Sequence, residues 1–216
     1  APSPGCRKIH VFTKFPSDFL PVIVEDSRMT IRQLKTTTMV QDILIAALHF
    51  PDKKNWSESE QTAESPRYAD LIQQAEAQAG HRRTILVGDF NMNPYEKGMV
   101  NANGFNGVMS RSIAEKRERK VQNRVYPFFY NPMWGRLGDL SPGPAGTFFW
   151  NPSGHSSYYW HSFDQVLIRP DLLDTFDPSM LQVLDSDGSK SLLSQNGIPD
   201  KAWASDHLPL LFRLEI

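Results

Sequence analysis

The chain has 216 residues, 40% of them hydrophobic and 11% aromatic, with 22% charged side chains and a formal net charge of −1. That composition excludes a disordered tail or low-complexity linker and is enough for a sizeable core in one domain, residues 1–216. The near-neutral balance supplies no global field for a polyanion, so any nucleic-acid contact has to come from a local basic patch.

The one cysteine, Cys6, cannot form an internal disulfide and points to a reducing compartment. With no signal-like start and no apolar run of spanning length, the expectation is a cytoplasmic chain without a membrane span.

Taken in order, Arg7 to Thr13, Phe19 to Val24 and Met29 to Leu34 read as short strands of an antiparallel start. Ile43 to Leu48 is an uninterrupted apolar run, as a central strand covered on both faces would show, and it opens at His49. The polar stretch from Asp52 to Glu64 reads as a loop. Ser65-Pro66 then reads as a helix start, because Ser caps well and the missing N–H of Pro costs nothing at the first helical position. Tyr68, Leu71, Ile72, Ala75 and Ala79 make an apolar stripe, and Gly80 ends the helix.

The next strand, Thr84 to Asp89, empties into Phe90-Asn91-Met92-Asn93-Pro94. Alternation along an extended segment lets Asp89 and Asn91 share one face while Phe90 turns to the core. Gly88, just before them, allows another strand or a ligand to approach the backbone closely. An isolated Asp-x-Asn is also what an ordinary turn looks like, so this fragment needs partners before it means more.

Beyond Pro94, Glu96 to Asn101 and Arg111 to Arg119 read as short helices. The basic run Lys116 to Lys120, with Arg111 and Arg124 near it, either binds phosphates or is a solvated helix face. Tyr126 to Trp134 is too aromatic and too interrupted by Pro for a regular element. Its rings either line a cleft and stack on a flat group or pack under a loop as a satellite core, the second being favoured because aromatics bury large areas wherever they sit. Arg111, Arg117, Arg124, Tyr130 and Trp134 are the candidate substrate contacts. Thr147 to Trp150 and Phe163 to Ile168 read as paired strands. Leu172 to Leu184 mixes a short helix with a strand, Ser186 to Ala204 is a loop, and Leu210 to Ile216 is the last strand.

Four separated strand ends therefore carry His49, Asp89 with Asn91, Asp164, and Asp206 with His207. Each alone is ordinary turn or core chemistry. Together, Ala-Leu-His-Phe at 47–50, Gly-Asp-Phe-Asn at 88–91, Phe-Asp-Gln-Val-Leu-Ile at 163–168 and Ser-Asp-His-Leu-Pro at 205–209 resemble, in this order, the endonuclease/exonuclease/phosphatase superfamily. The resemblance runs from about Ile9 to Ile216.

What the resemblance implies is an α+β fold, a two-layer β-sandwich flanked by helices, with a phosphoesterase site at one end that uses Mg²⁺, or Mn²⁺ in its place. It implies His49 as general acid or phosphate contact, Asp89 as the group that orients or deprotonates water, and Asn91 as the holder of a phosphoryl oxygen. Asp206 would bind metal or position the water, and Asp164 would orient His207. The implied partner is a phosphate ester, DNA or RNA foremost. Phosphomonoesters, lipid headgroups and a non-catalytic binding role are the alternatives.

Superfamily members carry an Asn and a metal-binding Glu on their first strands, upstream of the segment that Ile9 to Pro16 resembles. The expectation is accordingly the later two-thirds of the fold, completed by a further segment or a second chain. Glu25, Asp26 and Glu60 lie outside the matching motif and are not expected to be ligands.

Overall fold

One strand, paired in parallel on one side and antiparallel on the other, stands at the middle of the main sheet, and the sequence alternation along it and its neighbours decides what lies on each face. The computed structural model describes residues 5–36 and 40–216. β1 (Val22–Asp26) and β2 (Met29–Leu34) form an antiparallel hairpin, and β3 (Ile43–His49) pairs with β2 from Leu34↔Ile43 to Met29↔Leu48. Helix α1 (Glu58–Ala79) then carries the chain over the sheet to β4 (Thr84–Asp89), which runs parallel to β3. A parallel pair needs such a crossover, because its strands start at the same edge.

The next elements are short: α2 (Lys97–Val100), β5 (Gly107–Val108), α3 (Arg111–Ala114), β6 (Glu118–Val121), β7 (Arg124–Pro127) and β8 (Phe129–Tyr130). They are followed by β9 (Phe148–Phe149), β10 (Trp160–His161), β11 (Asp164–Ile168), β12 (Gln182–Val183) and β13 (Leu210–Leu211). The seven-stranded main sheet has the order β1-β2-β3-β4-β11-β8-β5. β6 with β7, β9 with β10, and β12 with β13 form two-stranded ribbons.

Alternation sorts the core into two layers. Leu44, Ala46, Leu48, Leu86 and Leu167 point toward α1 and pack with Tyr68, Ile72 and Ala75. Ile43, Ile85, Val166 and Ile168 point the other way, onto Phe176, Leu181, Val183 and Leu208. Each such buried aliphatic side chain contributes on the order of 1.5–3 kcal/mol. The sheet is thus covered by a helix on one face and by the β12–β13 ribbon with irregular segments on the other. An apolar groove of about 420 Å³ remains on that second face, beside Val11, Phe12, Phe15, Ile45 and Ala47.

Several local expectations are corrected. Arg7 to Thr13 forms no strand. A two-residue alternation is too short to set its course, and the segment is anchored instead by fully buried Cys6, whose thiol points to the Ser27 carbonyl at 3.6 Å. Helix α1 starts well before Ser65. Ser57 accepts from the Glu60 N–H while the Glu60 carboxylate accepts from the Ser57 N–H, a reciprocal cap that satisfies two donors at once, and Pro66 lies inside the helix. Gly80 does end it, in the left-handed conformation at φ 75°.

The charge run is not a helix face. α3 stops at Ala114, and Glu118 to Pro127 is a hairpin turning at Gln122 and Asn123, both at positive φ as hairpin turns prefer. The two segments read as a strand pair separate as well. β9 pairs with β10, whereas β11 enters the main sheet between β4 and β8. The last strand is only Leu210–Leu211, because beyond it the chain pairs just once, Phe176 with Leu214.

Candidate active site

Three strand ends meet in register at one edge of the main sheet. His49 ends β3 and is the Cα partner of Asp89, which ends β4, and Asp89 is in turn the partner of Asp164, which begins β11. β3 and β4 run parallel and β11 runs against them, so two C-terminal ends and one N-terminal end share that edge. Gly88 makes the approach possible: at φ 139° a Cβ there would lie 1.9 Å from the Leu48 carbonyl oxygen. Any other residue would force β3 and β4 apart just where His49 and Asp89 must stand side by side.

Asp89 is held by the turn that follows it. The Asn91 N–H donates to its Oδ1 at 2.8 Å, and Asn91 Nδ2 donates to its Oδ2 at 2.9 Å and to the Phe50 carbonyl at 3.0 Å. The Asx turn and the functional reading thus describe one object, a carboxylate locked in place by its own loop. Both Nδ2 hydrogens of Asn91 are committed and the residue is buried. It orients Asp89 and has no donor left for a phosphoryl oxygen, which corrects the role expected of it.

The fourth piece arrives from the C-terminal part of the chain. Leu208 is buried and its N–H donates to the Thr147 carbonyl at 2.8 Å. The preceding His207 is thereby set with Nδ1 at 2.7 Å from Asp164 Oδ2. A ring contact with Phe148, centroids 4.8 Å apart, backs the imidazole. His49 Nε2 lies 3.7 Å from Asp89 Oδ2. One oxygen, nitrogen or carboxylate atom from each of Asp89, Asp164 and His207 falls within 4.8 Å of the others.

That crowding has an electrostatic signature. Burial, and after it the charge of Asp164, pushes the Asp89 carboxyl up to about 6, against the pull of His207 and the Asn91 hydrogen bonds. Burial also lowers the proton affinity of His207, but the hydrogen bond and charge of Asp164 outweigh it, and its pKa is raised. His49 is lowered by burial and by the cations Arg28 and Lys8. Two acids that cannot comfortably both ionise beside each other, with an imidazole in reach, are the donor set a hard divalent cation would relieve. The residues fit such an ion.

The structure does not bring every expected residue here. Asp206 is exposed and stays outside the group. Arg111 is tied to Glu115 and Asp174, Arg117 to Asp171, and Arg124 lies in the β6–β7 hairpin. Tyr130 is the partner of Ile168, at the far end of β11 from Asp164. Four residues of strand put it about 13 Å from Asp164. Of the basic run and its neighbours, Arg111 and Arg117 are thus spent on carboxylates. Glu25, Asp26 and Glu60 are occupied too, with the Gly5 N–H, with Arg67 and with the α1 cap.

Trp134 lies on the site's side of the molecule, in a series of rings. It meets Tyr95 at 6.2 Å, Tyr95 meets Tyr158 at 5.8 Å, and Tyr158 meets His161 at 6.1 Å. His161 stacks on Phe163 at 4.7 Å. Sequence reading misses His161 and its support: Asn93 Nδ2 lies 3.0 Å from His161 Nδ1 and 3.1 Å from Glu96 Oε1, and Lys53 pairs with Glu96. Buried Gln165 further ties β11 to this loop, donating to the Met92 carbonyl at 2.6 Å. The available signal is the continued alternation Asp89, Asn91, Asn93, which puts a third polar side chain on the same face.

No protein-family model matches the chain, and no curated protein matches it. Among solved structures, it is similar to the endonuclease domain of TRAS1, a telomere-specific non-LTR retrotransposon, with 17% identity, TM-score 0.44, and 94% of this chain covering 71% of that one. It is similar to the human Nocturnin catalytic domain with bound sulfate at 16% identity and TM-score 0.48, over 93% of this chain and 62% of that one. A Bacteroides thetaiotaomicron endonuclease/exonuclease/phosphatase family protein matches at 15% identity and TM-score 0.45, over 86% and 53%.

The four motif ends noted in the sequence, His49, Asp89, Asp164 and His207, are the ones that converge here. At such identities and TM-scores the solved structures assign no activity to this chain, so what the site does is argued from its own atoms. Among the described residues no helix is long and apolar enough to cross a membrane.

Proposed function

We propose that this chain is a divalent-metal-dependent phosphoesterase that hydrolyses phosphodiesters, nucleic acid being its substrate class and Mg²⁺, or Mn²⁺ as substitute, its ion. The observation that supports it most is the meeting of Asp89, Asp164 and His207 within 4.8 Å, with His49 beside them. Asp89 and Asp164 would hold the cation, since a hard ion prefers oxygen, and it would neutralise the diester's charge and lower the pKa of a bound water.

The side chains divide the remaining work. Asp89, held in place by Asn91, orients the attacking water and accepts its proton, a transfer eased by the ion's effect on the water's own pKa. As the new bond to phosphorus forms, the bond to the leaving oxygen breaks. His207 Nε2, whose ring Asp164 fixes through Nδ1, delivers a proton to that oxygen. His49, with its pKa lowered, offers a neutral N–H to a phosphoryl oxygen. Asn91 keeps Asp89 in place throughout.

Assays of plasmid DNA, RNA and phosphoinositides side by side, with Mg²⁺ and with chelator, test the proposal. Metal-dependent loss of a nucleic-acid substrate is expected. Turnover of phosphoinositide alone would move the substrate class, and full activity in chelator would remove the mechanism.

A further inference from the structure

The hairpin β9–β10 does more than support His207. Phe148 is the Cα partner of His161 on one side and bridges His207 on the other. Two antiparallel spacings put His161 about 10 Å from His207, with the Phe148 ring between them. That is the order of distance from a phosphate to the base of its own nucleotide.

The state of His161 follows from its neighbours. Asn93 Oδ1 accepts the Ser162 N–H at 3.0 Å, so the amide's other end, Nδ2, is the donor, as its contact with Glu96 Oε1 also requires. His161 Nδ1 is then the acceptor of that group, and the neutral ring carries its proton on Nε2. Among the described residues no hydrogen bond engages Nε2, and it is not among the buried unpartnered atoms, so it opens to solvent. Burial and the charge of Lys53 lower the proton affinity of the ring, which keeps it in this neutral donor form.

The rings beside it are equally suggestive. Phe163, stacked on His161, is buried, but Tyr158, edge-on to His161, is 68% exposed. Its ring surface is thus accessible beside half-buried Tyr95 and Trp134. Polar chemistry narrows the occupant. An inositol phosphate or lipid headgroup calls for cations, and Lys53, whose charge acts on His161, is already paired with Glu96. What is offered is flat π surface and one directed N–H, the complement of a nucleobase.

We propose that Tyr158, Tyr95, Trp134 and the Nε2–H of His161 form a nucleobase subsite beside the catalytic cluster, so that the ester this chain takes is a nucleotide diester. This deepens the phosphoesterase reading and rests on it for the position of the scissile phosphate.

The test separates the two. Quenching of intrinsic fluorescence by a thymidine tetranucleotide is titrated in EDTA, where no turnover occurs, alongside the same backbone with its bases removed. Hydrolysis of the tetranucleotide with Mg²⁺ is followed in parallel. The intact tetranucleotide is expected to bind at least about 10-fold tighter than the base-free one, with Tyr158→Ala and His161→Ala each weakening it roughly 5- to 100-fold and Tyr158→Phe retaining it within about 2-fold. The subsite is overturned if the tetranucleotide does not bind, binds no better than the base-free backbone, or binds both alanine variants as tightly as the unaltered protein. Base-dependent binding without hydrolysis leaves the subsite standing and removes the phosphoesterase; hydrolysis with base-independent binding does the reverse.

Discussion

Asp89 and Asp164 face each other as direct partners on antiparallel strands β4 and β11, two carboxylates where a sheet would ordinarily place an attractive or neutral pair. The arrangement is costly to the fold and useful only to something positive placed between them.

The cost is measurable in the metal-free protein. Asp89 has a folded pKa near 6 against an ordinary value of 3.8, so between those values the folded chain keeps a proton that the unfolded chain has released. Stability from that proton is fully present below about pH 4 and is lost as pH rises through 6. Asp89→Asn is therefore expected to raise the melting temperature by several degrees at pH 7.5, on the order of 1–2 kcal/mol, and to give little or no gain at pH 4. The asparagine still accepts from the Asn91 N–H, but its own amide opposes Asn91 Nδ2, a pH-independent loss that trims the gain. Thermal melts of both proteins in chelator at the two pH values check the sign.

Asp164 acts through His207. Because the folded pKa of His207 is raised, the pair's stabilisation is complete below the ordinary histidine pKa and fades as pH rises through the folded value. Asp164→Asn is expected to lower the His207 pKa, to destabilise the metal-free protein more at pH 5 than at pH 8, and to reduce kcat roughly 10²- to 10⁴-fold. An NMR titration of the imidazole, set beside the pH series of melts, follows the first two effects.

Gly88 and Gly80 make a controlled comparison of two glycines. Gly88→Ala drives a methyl into the Leu48 carbonyl and is expected to cost about 3 kcal/mol or more, with a melting temperature lower by about 10 °C. Gly80, also at positive φ, has nothing within 4 Å of a built Cβ, so its alanine variant should lose only about 1 kcal/mol. Equal losses at the two positions would mean that β3 and β4 are not held as closely as described.

The site was legible because three of its side chains stand at an end of an apolar run. His49 ends Ile43 to Leu48, Asp89 ends Thr84 to Val87, and Asp164 opens Gln165 to Ile168, so strand ends could be located from hydrophobicity alone. The start of α1 was not, because Ser57-x-x-Glu60 sits in a polar stretch whose first turn carries no apolar stripe, and Ser65-Pro66 repeats the same start grammar eight residues on. Nor were the partners of β9, since a two-residue strand takes its mate from tertiary packing rather than pattern. The basic run misled for a related reason: Arg111 and Arg117 look available in sequence, while the acids that occupy them, Asp174 and Asp171, are more than fifty residues away. His161 stayed hidden because its role depends on Asn93, a neighbour that only folding supplies.

The central claim is that one cluster, in which Asp89 and Asp164 would hold the cation and His207 protonates the leaving oxygen, performs phosphodiester hydrolysis. Its most direct test is the rate of hydrolysis of a chromogenic phosphodiester as Mg²⁺ is titrated into metal-free protein, for the unaltered chain and for His207→Ala. The rate should rise from background to saturation with Mg²⁺ and fall at least about 100-fold in the variant. A rate indifferent to Mg²⁺, absent at every concentration, or unchanged by His207→Ala would contradict it.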